Sequence, residues 1–500
     1  MAKPDKAVQF GDWKPDIALV DNQFAAIAEN VYPAANSYVP WEKLAPITTA
    51  QLPAKCLGLT FARTLTGSYL IFAGTATNLY RWSGSAWVDI SRTTGGAYSV
   101  APGDRWTWAQ FGQNLVAVQI GDAPQTINVD SGANFANLGG SPPKATSVCV
   151  IGDFLVLAGL VQATGFSNRR MIQWSAINDI TGWTIGTNLS DIQEMPDGGP
   201  VIGVAGGEVG FVVQDRSIRS MQFLPGDNLI IFSFSRVERE KGCMAKYGFI
   251  YTRGILFFVA EDGFYALGAP QPPIGANAVN DWFRDNSDPK RRDQTYAYAD
   301  PRKPRVLWAF YSSDTSTDYD RVIAFDWSLN KWSYGRPTAQ QWGTLAAQGV
   351  DLDTDIPGDP IDHPLDSAAP SLDSTAYFGG RPVVAAIDIN GILCFQDGSP
   401  LAATIDTAES HLSPGMRSFV SAAYPLIDAA GDALTVAVGE RERLQDPQSY
   451  GAPQPVGSTG SAPVYSSSRL HRFRVFVPEA VQWTHAQGVQ VEAQPDGEGY

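Results

Sequence analysis

Short apolar runs alternate with polar turns along most of the chain. In residues 321–335, two runs rich in β-branched and aromatic residues flank the polar residues 328–331. This pattern predicts two strands joined by a tight turn, that is, one β-hairpin. Residues 79–91 and 127–139 have the same layout, and in the first of these Trp82 and Trp87 are placed as Trp327 and Trp332 are in the unit above.

These hairpin units recur at a regular period. The second aromatic position of successive units is separated by 48, 48, 49, 50 and 50 residues, and is occupied by Trp87, Phe135, Trp183, Phe232, Trp282 and Trp332. A further hairpin is expected at residues 392–405, after an insertion. A period of about 50 residues with several short strands predicts an all-β fold, a β-propeller of six or seven blades. The alternative is a set of unrelated hairpins in a β-sandwich.

Composition agrees with many short strands. The chain has 500 residues, of which 44% are apolar and 17% charged, with 48 Gly and 34 Pro. Its formal net charge of -15 argues against a sequence-independent grip on the DNA backbone, which needs concentrated Lys and Arg. A negative net charge is still compatible with a protein that lines a channel through which DNA passes without binding.

The four cysteines are far apart and form no CxxC pair. Each lies in or beside an apolar run, so we expect buried free thiols in a protein made in a reducing cytosol: Cys56, Cys149, Cys243 and Cys394. The first residues show no basic and then apolar pattern, so no signal peptide is visible. The longest apolar run, residues 255–260, is too short to span a bilayer, and no membrane-spanning segment is expected.

The chain divides into three parts. Residues 1–50 are an arm with recurrent prolines, in which residues 22–29 offer the one helical stretch, and residues 51–407 hold the repeats. Residues 408–500 predict a small β domain with two pairs of strands on either side of a mobile loop, 445–468, rich in Pro, Gly, Ser and Gln.

The arm carries a recognisable arrangement, W-x-PD, then NVYP, then Y-x-P. Together with the repeats, with residues 169–186 and with the ending at 472–488, it resembles the tail nozzle or hub proteins of short-tailed bacteriophages, including the packaged-DNA stabilisation type. The arm residues that carry this resemblance are Trp13, Pro15, Asp16, Asn30, Tyr32, Pro33, Tyr38 and Pro40.

The resemblance implies a β-propeller whose N-terminal arm and C-terminal segment form a platform. It implies a structural protein of the virion tail, made in the host cytoplasm and assembled as a homohexameric ring below the portal and its adaptor, the head-to-tail connector. Genomic double-stranded DNA would pass through the lumen without sequence-specific binding, the ring would help to retain packaged DNA, and a tail needle, fibres or spikes would dock on it.

We also expect particular residues at the subunit or adaptor interface. The sequence predicts that Arg469, Arg472 and Arg474 lie on one side of a strand, where they form either a solvated face or a salt-bridged subunit contact. The other expected interface residues are those of the arm: Trp13, Pro15, Asp16, Asn30, Tyr38 and Trp41.

Signatures of catalysis are absent from the sequence. It has no HExxH, P-loop, GxSxG or CxxC motif, and its four histidines, His363, His411, His471 and His485, lack ligand spacing. Residues 128–135 look like the structural Asp-box hairpin of sialidase-type propellers. We therefore expect no enzyme and no cofactor. The alternatives are a receptor-binding or carbohydrate-depolymerising phage tail protein, which as a glycosidase would need two facing carboxylates, and a host-encoded propeller scaffold.

The insertion at residues 349–374 contains seven Asp and no Lys or Arg. It predicts a solvated loop on one face of the ring. Asp351, Asp353 and Asp355 imitate part of a calcium loop, but Gly358 is displaced and no Glu closes it, so they are weak metal candidates. As a channel or gating loop, the segment would repel DNA phosphates through Asp351, Asp353, Asp355, Asp359, Asp362 and Asp366.

Overall fold

The computed structural model describes residues 5–161, 169–226, 230–268, 273–346, 382–429 and 433–496. Those ranges contain 41 β-strands, one α-helix and one 3-10 helix. The acidic insertion, residues 349–374, lies outside the described residues, together with all six of its candidate aspartates and His363.

The arm contains seven strands. They are β1 (Asp5–Gln9), β2 (Asp12–Trp13), β3 (Phe24–Ala25), β4 (Ile27–Glu29), β5 (Val31–Pro33), β6 (Tyr38–Pro40) and β7 (Glu42–Gln51).

Seven antiparallel sheets follow, and each is called a blade. Blade 1 contains β8 (Gly58–Arg63), β9 (Tyr69–Gly74), β10 (Leu79–Trp82) and β11 (Trp87–Asp89). Blade 2 contains β12 (Thr107–Phe111), β13 (Asn114–Val118), β14 (Gln125–Asn128) and β15 (Ala136–Asn137). Blade 3 contains β16 (Ser147–Ile151), β17 (Phe154–Ala158), β18 (Met171–Trp174) and β19 (Asp191–Glu194). Blade 4 contains β20 (Val201–Ala205), β21 (Val209–Gln214), β22 (Ile218–Phe223) and β23 (Phe232–Glu238).

The remaining blades include the helices. Blade 5 has three strands, β24 (Phe249–Thr252), β25 (Ile255–Ala260) and β26 (Gly263–Leu267), and is followed by α1 (Asn280–Asn286) and a 3-10 turn (Arg292–Gln294). Blade 6 contains β27 (Tyr296–Asp300), β28 (Arg305–Phe310), β29 (Arg321–Asp326) and β30 (Lys331–Gly335). Blade 7 contains β31 (Gln341–Ala346), β32 (Pro382–Ile387) and β33 (Ile392–Pro400), and β7 of the arm pairs with β33 as its outermost strand.

The blades form a closed ring. The first strand of each blade lies beside the first strand of the next, and β31 of blade 7 contacts β8 of blade 1. Between blades 4 and 5 the contact is made by Gly203, which packs against the Phe249 ring. The fold is therefore a β-propeller, and the described residues form seven blades, within the predicted six or seven.

The apolar core is divided among the gaps between neighbouring blades. Leu59 and Ile71 of blade 1, for example, cluster with Val383 and Leu393 of blade 7, and Leu307 of blade 6 belongs to a cluster shared with blade 7. Because each blade buries both faces against its neighbours, every added blade lengthens the core without thickening it.

The C-terminal segment completes a platform with the arm. Its strands are β34 (Ala403–Asp406), β35 (Arg417–Ile427), β36 (Thr435–Arg441), β37 (Ser449–Tyr450), β38 (Gln454–Pro455), β39 (Ser466–Ser468), β40 (Leu470–Val477) and β41 (Ala486–Asp496). One sheet has the order β39-β35-β41-β6-β5, with β1 also paired to β41. The other extends blade 6 through β4, β34, β40, β36 and β37, with β38 also paired to β36.

Several local predictions are confirmed. Trp82 pairs with Trp87, and Phe325 pairs with Trp332, in antiparallel hairpins as their patterns indicated. All four cysteines are buried and free, as expected from their apolar surroundings. Separately from these predictions, no helix in the described ranges is long and apolar enough to cross a membrane.

The prediction of a helix at residues 22–29 is wrong. Strands β3 and β4 occupy this stretch, and β4 pairs with β30 on one side and β34 on the other. Two turns of helix would gain little stability in isolation, whereas the extended chain satisfies its backbone groups against two neighbours.

Two further local predictions are also wrong. Residues 392–405 do not form a hairpin, because β33 already pairs with β7 while β34 leaves blade 7 and pairs with β4 and β40. Trp282 lies on α1 and not in a strand.

The C-terminal strands differ from the simple pairs that the sequence predicted. Strands β35 and β36 follow each other in the chain but belong to different sheets, as do β40 and β41. The segment 445–468, predicted as a mobile loop, contributes β37 and β38 to one sheet and β39 to the other. These short pairings satisfy backbone groups that a solvated loop would leave to water.

Candidate functional site

The arm is anchored on blade 6 by an aromatic cluster. The Trp13 side chain is 1% exposed, and its ring centroid lies 4.9 Å from that of Trp282 on α1 and 4.9 Å from that of Tyr334 on β30. The contact with Trp282 is edge-on, with an interplanar angle of 82°. Aromatic pairs in this geometry contribute beyond their buried area, so the arm is firmly attached here.

Asp16 holds the first turn of α1. Its carboxylate accepts hydrogen bonds from the backbone N–H groups of Asp281 and Trp282, both at 2.9 Å, while Val279 at the N-cap position provides no side-chain cap. A carboxylate at this end of a helix satisfies free N–H groups and interacts favourably with the helix dipole. The arm therefore supplies the cap that the sequence of α1 lacks.

Asn30 links four segments of the chain. Its backbone N–H donates to Tyr334 O at 2.8 Å, and its backbone carbonyl accepts from the Trp41 N–H at 3.3 Å. Its side-chain amide donates to Ala402 O and its Oδ1 accepts from the Arg336 N–H, both at 2.8 Å. Its φ of 58° lies in the left-handed region, which Asn tolerates better than most residues.

Trp41 and Tyr38 are also packed within the chain. The Trp41 ring stacks on Tyr32 with centroids 4.1 Å apart, and Gly335 lies so close that a Cβ there would be 3.1 Å from the indole. The Tyr38 hydroxyl donates to Gly11 O at 2.8 Å.

This burial corrects the predicted interface. The side chains of Trp13, Tyr38 and Trp41 are at most 2% exposed, and Asn30 is 9% exposed, so they offer no surface to a neighbouring subunit or an adaptor. Pro15 is half-buried, as is Asp16, which serves α1. Trp13, Asn30, Tyr38 and Trp41 therefore fix the platform to the propeller, whereas the assignment of Pro15 and Asp16 to an interface stays a prediction.

Two arginines of the predicted basic strand face, Arg472 and Arg474, bind a buried carboxylate of the same chain, that of Asp406. Arg474 binds fully buried Asp406 through two hydrogen bonds of 2.9 Å, and an Arg472 Nη lies 3.2 Å from the same carboxylate. The Tyr450 hydroxyl also donates to Asp406, at 2.7 Å, and burial raises its pKa. The hydrogen bond with Asp406 raises the pKa of Arg474. Arg469 lies in a bend outside β40, so it is not on this strand face.

The platform carries a groove of about 660 Å³ between β1, the turns at residues 21–24 and 33–38, and His411. His411 Nδ1 is 2.7 Å from the Asp21 carboxylate, and a hydrogen bond from the His411 backbone N–H is the main cause of the lowered pKa of Asp21. Lys331 is 2.7 Å from Asp12 on the same wall. Strand β1, at the rim, pairs with β41.

The propeller axis is crossed by the segment before β12. Arg105 lies two residues before β12 of blade 2, yet its backbone N–H donates to the Tyr247 hydroxyl next to blade 5 at 2.7 Å, and its guanidinium binds Gln341 at the start of blade 7. Asp104 is 2.6 Å from Lys246. A residue that joins blades 2, 5 and 7 of one ring must lie at its centre. No sequence motif marked Arg105.

No described group of three or more His, Cys, Asp or Glu side chains could hold a metal ion. The calcium-like candidates Asp351, Asp353 and Asp355, and the channel candidates Asp359, Asp362 and Asp366, fall outside the described residues. Their assignment stays a prediction.

Comparisons with known proteins give structural matches alone, since no protein-family model and no curated protein matches this chain. BamB from Moraxella catarrhalis is 10% identical, with 73% of this chain and 95% of that chain covered and a TM-score of 0.34. YCF48 bound to D1 peptide is 14% identical, with 60% and 85% covered and a TM-score of 0.34.

The extracellular domain of BT4673 from B. thetaiotaomicron is 12% identical over 47% of this chain, with a TM-score of 0.27, and the match spans 34% of that chain's length. These structural similarities give no information about the function of this chain.

Proposed function

We propose that this chain is a structural component of a phage tail. It would form a nozzle or hub ring that continues the DNA channel below the portal and its adaptor. The observation that supports this most is the platform, which both chain ends build together and which β4 joins to the propeller by pairing with β30 and with β34. A part that transmits contacts between the tail above and the tail below needs such a stiff connection.

The ring would contain six copies in the virion tail, as in the proteins that the arm resembles. Segment 101–106 crosses the propeller axis through Arg105, so the DNA duplex would pass between copies and not through any one propeller. The walls are stiff because each blade packs on both neighbours. In this role the ring helps to retain packaged DNA and docks a needle, fibres or spikes, and nothing is catalysed.

Electron microscopy of purified tails tests this proposal. A small tag in the turn at residues 83–86 would mark the outer edge of blade 1, since Gly84 there faces open space. We expect a six-fold ring below the portal with the tag at its propellers. A three-fold peripheral spike, or tails without this chain, would contradict the proposal and favour the receptor-binding or depolymerising alternative.

A complementation assay separates the platform from the propeller surface. Particles that lack this chain should regain DNA retention with the wild-type protein and with Leu65→Ala, whose side chain is 79% exposed on blade 1. Trp13→Ala, which removes the arm's anchor on blade 6, should restore much less. If Trp13→Ala restored DNA retention as well as Leu65→Ala does, the attachment of the platform to the propeller would not be needed for this function.

A further inference from the structure

Among the described residues, the side chains that contact Arg105 at the propeller axis are uncharged, so the one formal charge of this cluster is that of Arg105 itself. The side chain is 5% exposed, and none of the described carboxylates lies within 4.0 Å of its guanidinium. Asp104, its neighbour in the chain, pairs with Lys246. A buried cation without a counter-charge costs several kcal/mol, and most proteins place an acid beside it.

The surrounding side chains do not supply a negative charge at neutral pH. Burial raises the pKa of the Cys56 thiol to about 12. It also raises the pKa of Tyr247, Tyr296 and Tyr319 above that of a free tyrosine. All four groups therefore stay neutral, and the cluster keeps a net charge of one.

The neutral partners compensate for this charge in part. One Nη of Arg105 donates to Gln341 Oε1 and lies 3.5 Å from Gln340 O, and the guanidinium lies 4.8 Å from the Tyr319 ring centroid. Amide oxygens and an aromatic face attract a cation, but less strongly than an ion does.

Donors remain for a further partner. The second Nη donates to the Tyr311 hydroxyl at 3.4 Å, and that hydroxyl keeps its own O–H. The Nε–H of Arg105 has no acceptor among the residues that the structure describes. A buried cation with N–H and O–H donors that lack a partner among the described residues provides the elements of an anion site.

We propose that this cluster binds a small monovalent anion of halide type at the propeller axis. One charge on the protein matches one charge on the ligand, whereas a dianion would leave a buried net negative charge. The low exposure of the site favours an ion over a larger organic acid. The residues of this axial cluster are Arg105, Tyr247, Tyr296, Tyr311, Tyr319 and Gln341.

The anion would have a structural role that is independent of the tail. It would compensate the charge of Arg105, which joins blade 2 to blades 5, 6 and 7, and so help to hold the ring closed at this end. The inference therefore stands whether or not the chain forms a nozzle.

Bromide is a direct probe, because its anomalous scattering identifies it in a crystal. Crystals of the full chain soaked in sodium bromide should show an anomalous peak within hydrogen-bonding distance of the Arg105 guanidinium. Arg105→Gln should lose this peak. Arg292→Gln is the matched control, since Arg292 also has no carboxylate within 4.0 Å among the described residues but is half-exposed, and its guanidinium binds Ser287 Oγ and Arg284 O instead of the axial cluster.

Thermal unfolding gives a second readout. With ionic strength held constant by sodium gluconate, whose anion is bulky, Tm of the wild type should rise with the logarithm of bromide concentration. Arg292→Gln should show the same slope and Arg105→Gln a flat response.

Two results would overturn the proposal. One is a wild-type map without a peak at Arg105 while surface bromides are visible, and the other is a peak that survives Arg105→Gln. If Arg105→Gln does not fold, the wild-type map still decides, together with Arg105→Lys, which keeps the charge and should keep the ion.

Discussion

Asn30 accepts a hydrogen bond from the backbone N–H of Arg336 at 2.8 Å, although 306 positions separate them in the chain. The bond lies where the arm passes from β4, which pairs with blade 6, to β5 in the platform sheet. The same side chain donates to Ala402 O, at the point where blade 7 leads into the platform. One amide group thus serves two crossings between the propeller and the platform.

Replacing Asn30 by Ala should destabilise the protein by about 3 kcal/mol. Two buried backbone groups would lose their partners, and Ala would be held at a φ of 58°. Asn330→Ala is the matched control, because Asn330 has a φ of 54° but lies exposed in a turn, so about 1 kcal/mol is expected. Urea unfolding of both variants measures the difference, and equal losses would show that the side-chain bonds contribute nothing.

Removing the charge of Asp406 should be more costly. Asp406→Asn would leave Arg472 and Arg474 without their shared carboxylate, and breaking a buried ion pair in this way costs about 3–5 kcal/mol. The comparison is Glu479→Gln, which breaks the ion pair with Lys43 between side chains 52% and 47% exposed, and should change stability by less than about 1 kcal/mol. A loss at Asp406 as small as that at Glu479 would mean that water already screens the cluster.

The buried His471 should make stability depend on pH. Both of its ring nitrogens lack hydrogen-bond partners among the described residues, and burial lowers its pKa from 6.5 to about 4. Between these values the unfolded chain binds a proton that the folded protein does not, so stability is complete above pH 6.5 and falls as the pH drops towards 4.

Urea unfolding at pH 7 and pH 4.5 should reveal this contribution. The wild type is expected to lose about 2.5 kcal/mol more over this range than His471→Leu, which cannot titrate and keeps an apolar contact with Phe473. Parallel losses in the two proteins would show that His471 takes up its proton as readily in the folded protein as in the unfolded chain, so that burial does not lower its pKa.

The local hairpins of this protein can be predicted from its sequence alone. The pairing of Trp82 with Trp87 and of Phe325 with Trp332 depends on strands that are a few residues apart. Alternating apolar positions and a polar turn are sufficient to specify such a hairpin, and its recurrence at about 50 residues indicated a propeller.

The contacts between distant segments, in contrast, could not be predicted before the three-dimensional fold was known. Strand β35 and its successor β36 pair with different partners, and Asn30 was predicted at an interface but lies inside the chain. Asp406 and Arg474 meet across 68 positions, and Arg105 reaches Gln341 across 236. The position of a polar residue in the sequence does not indicate which distant residue it will bind. Such a contact becomes strong only when both side chains are buried, and they are buried only after the ring and the platform have formed.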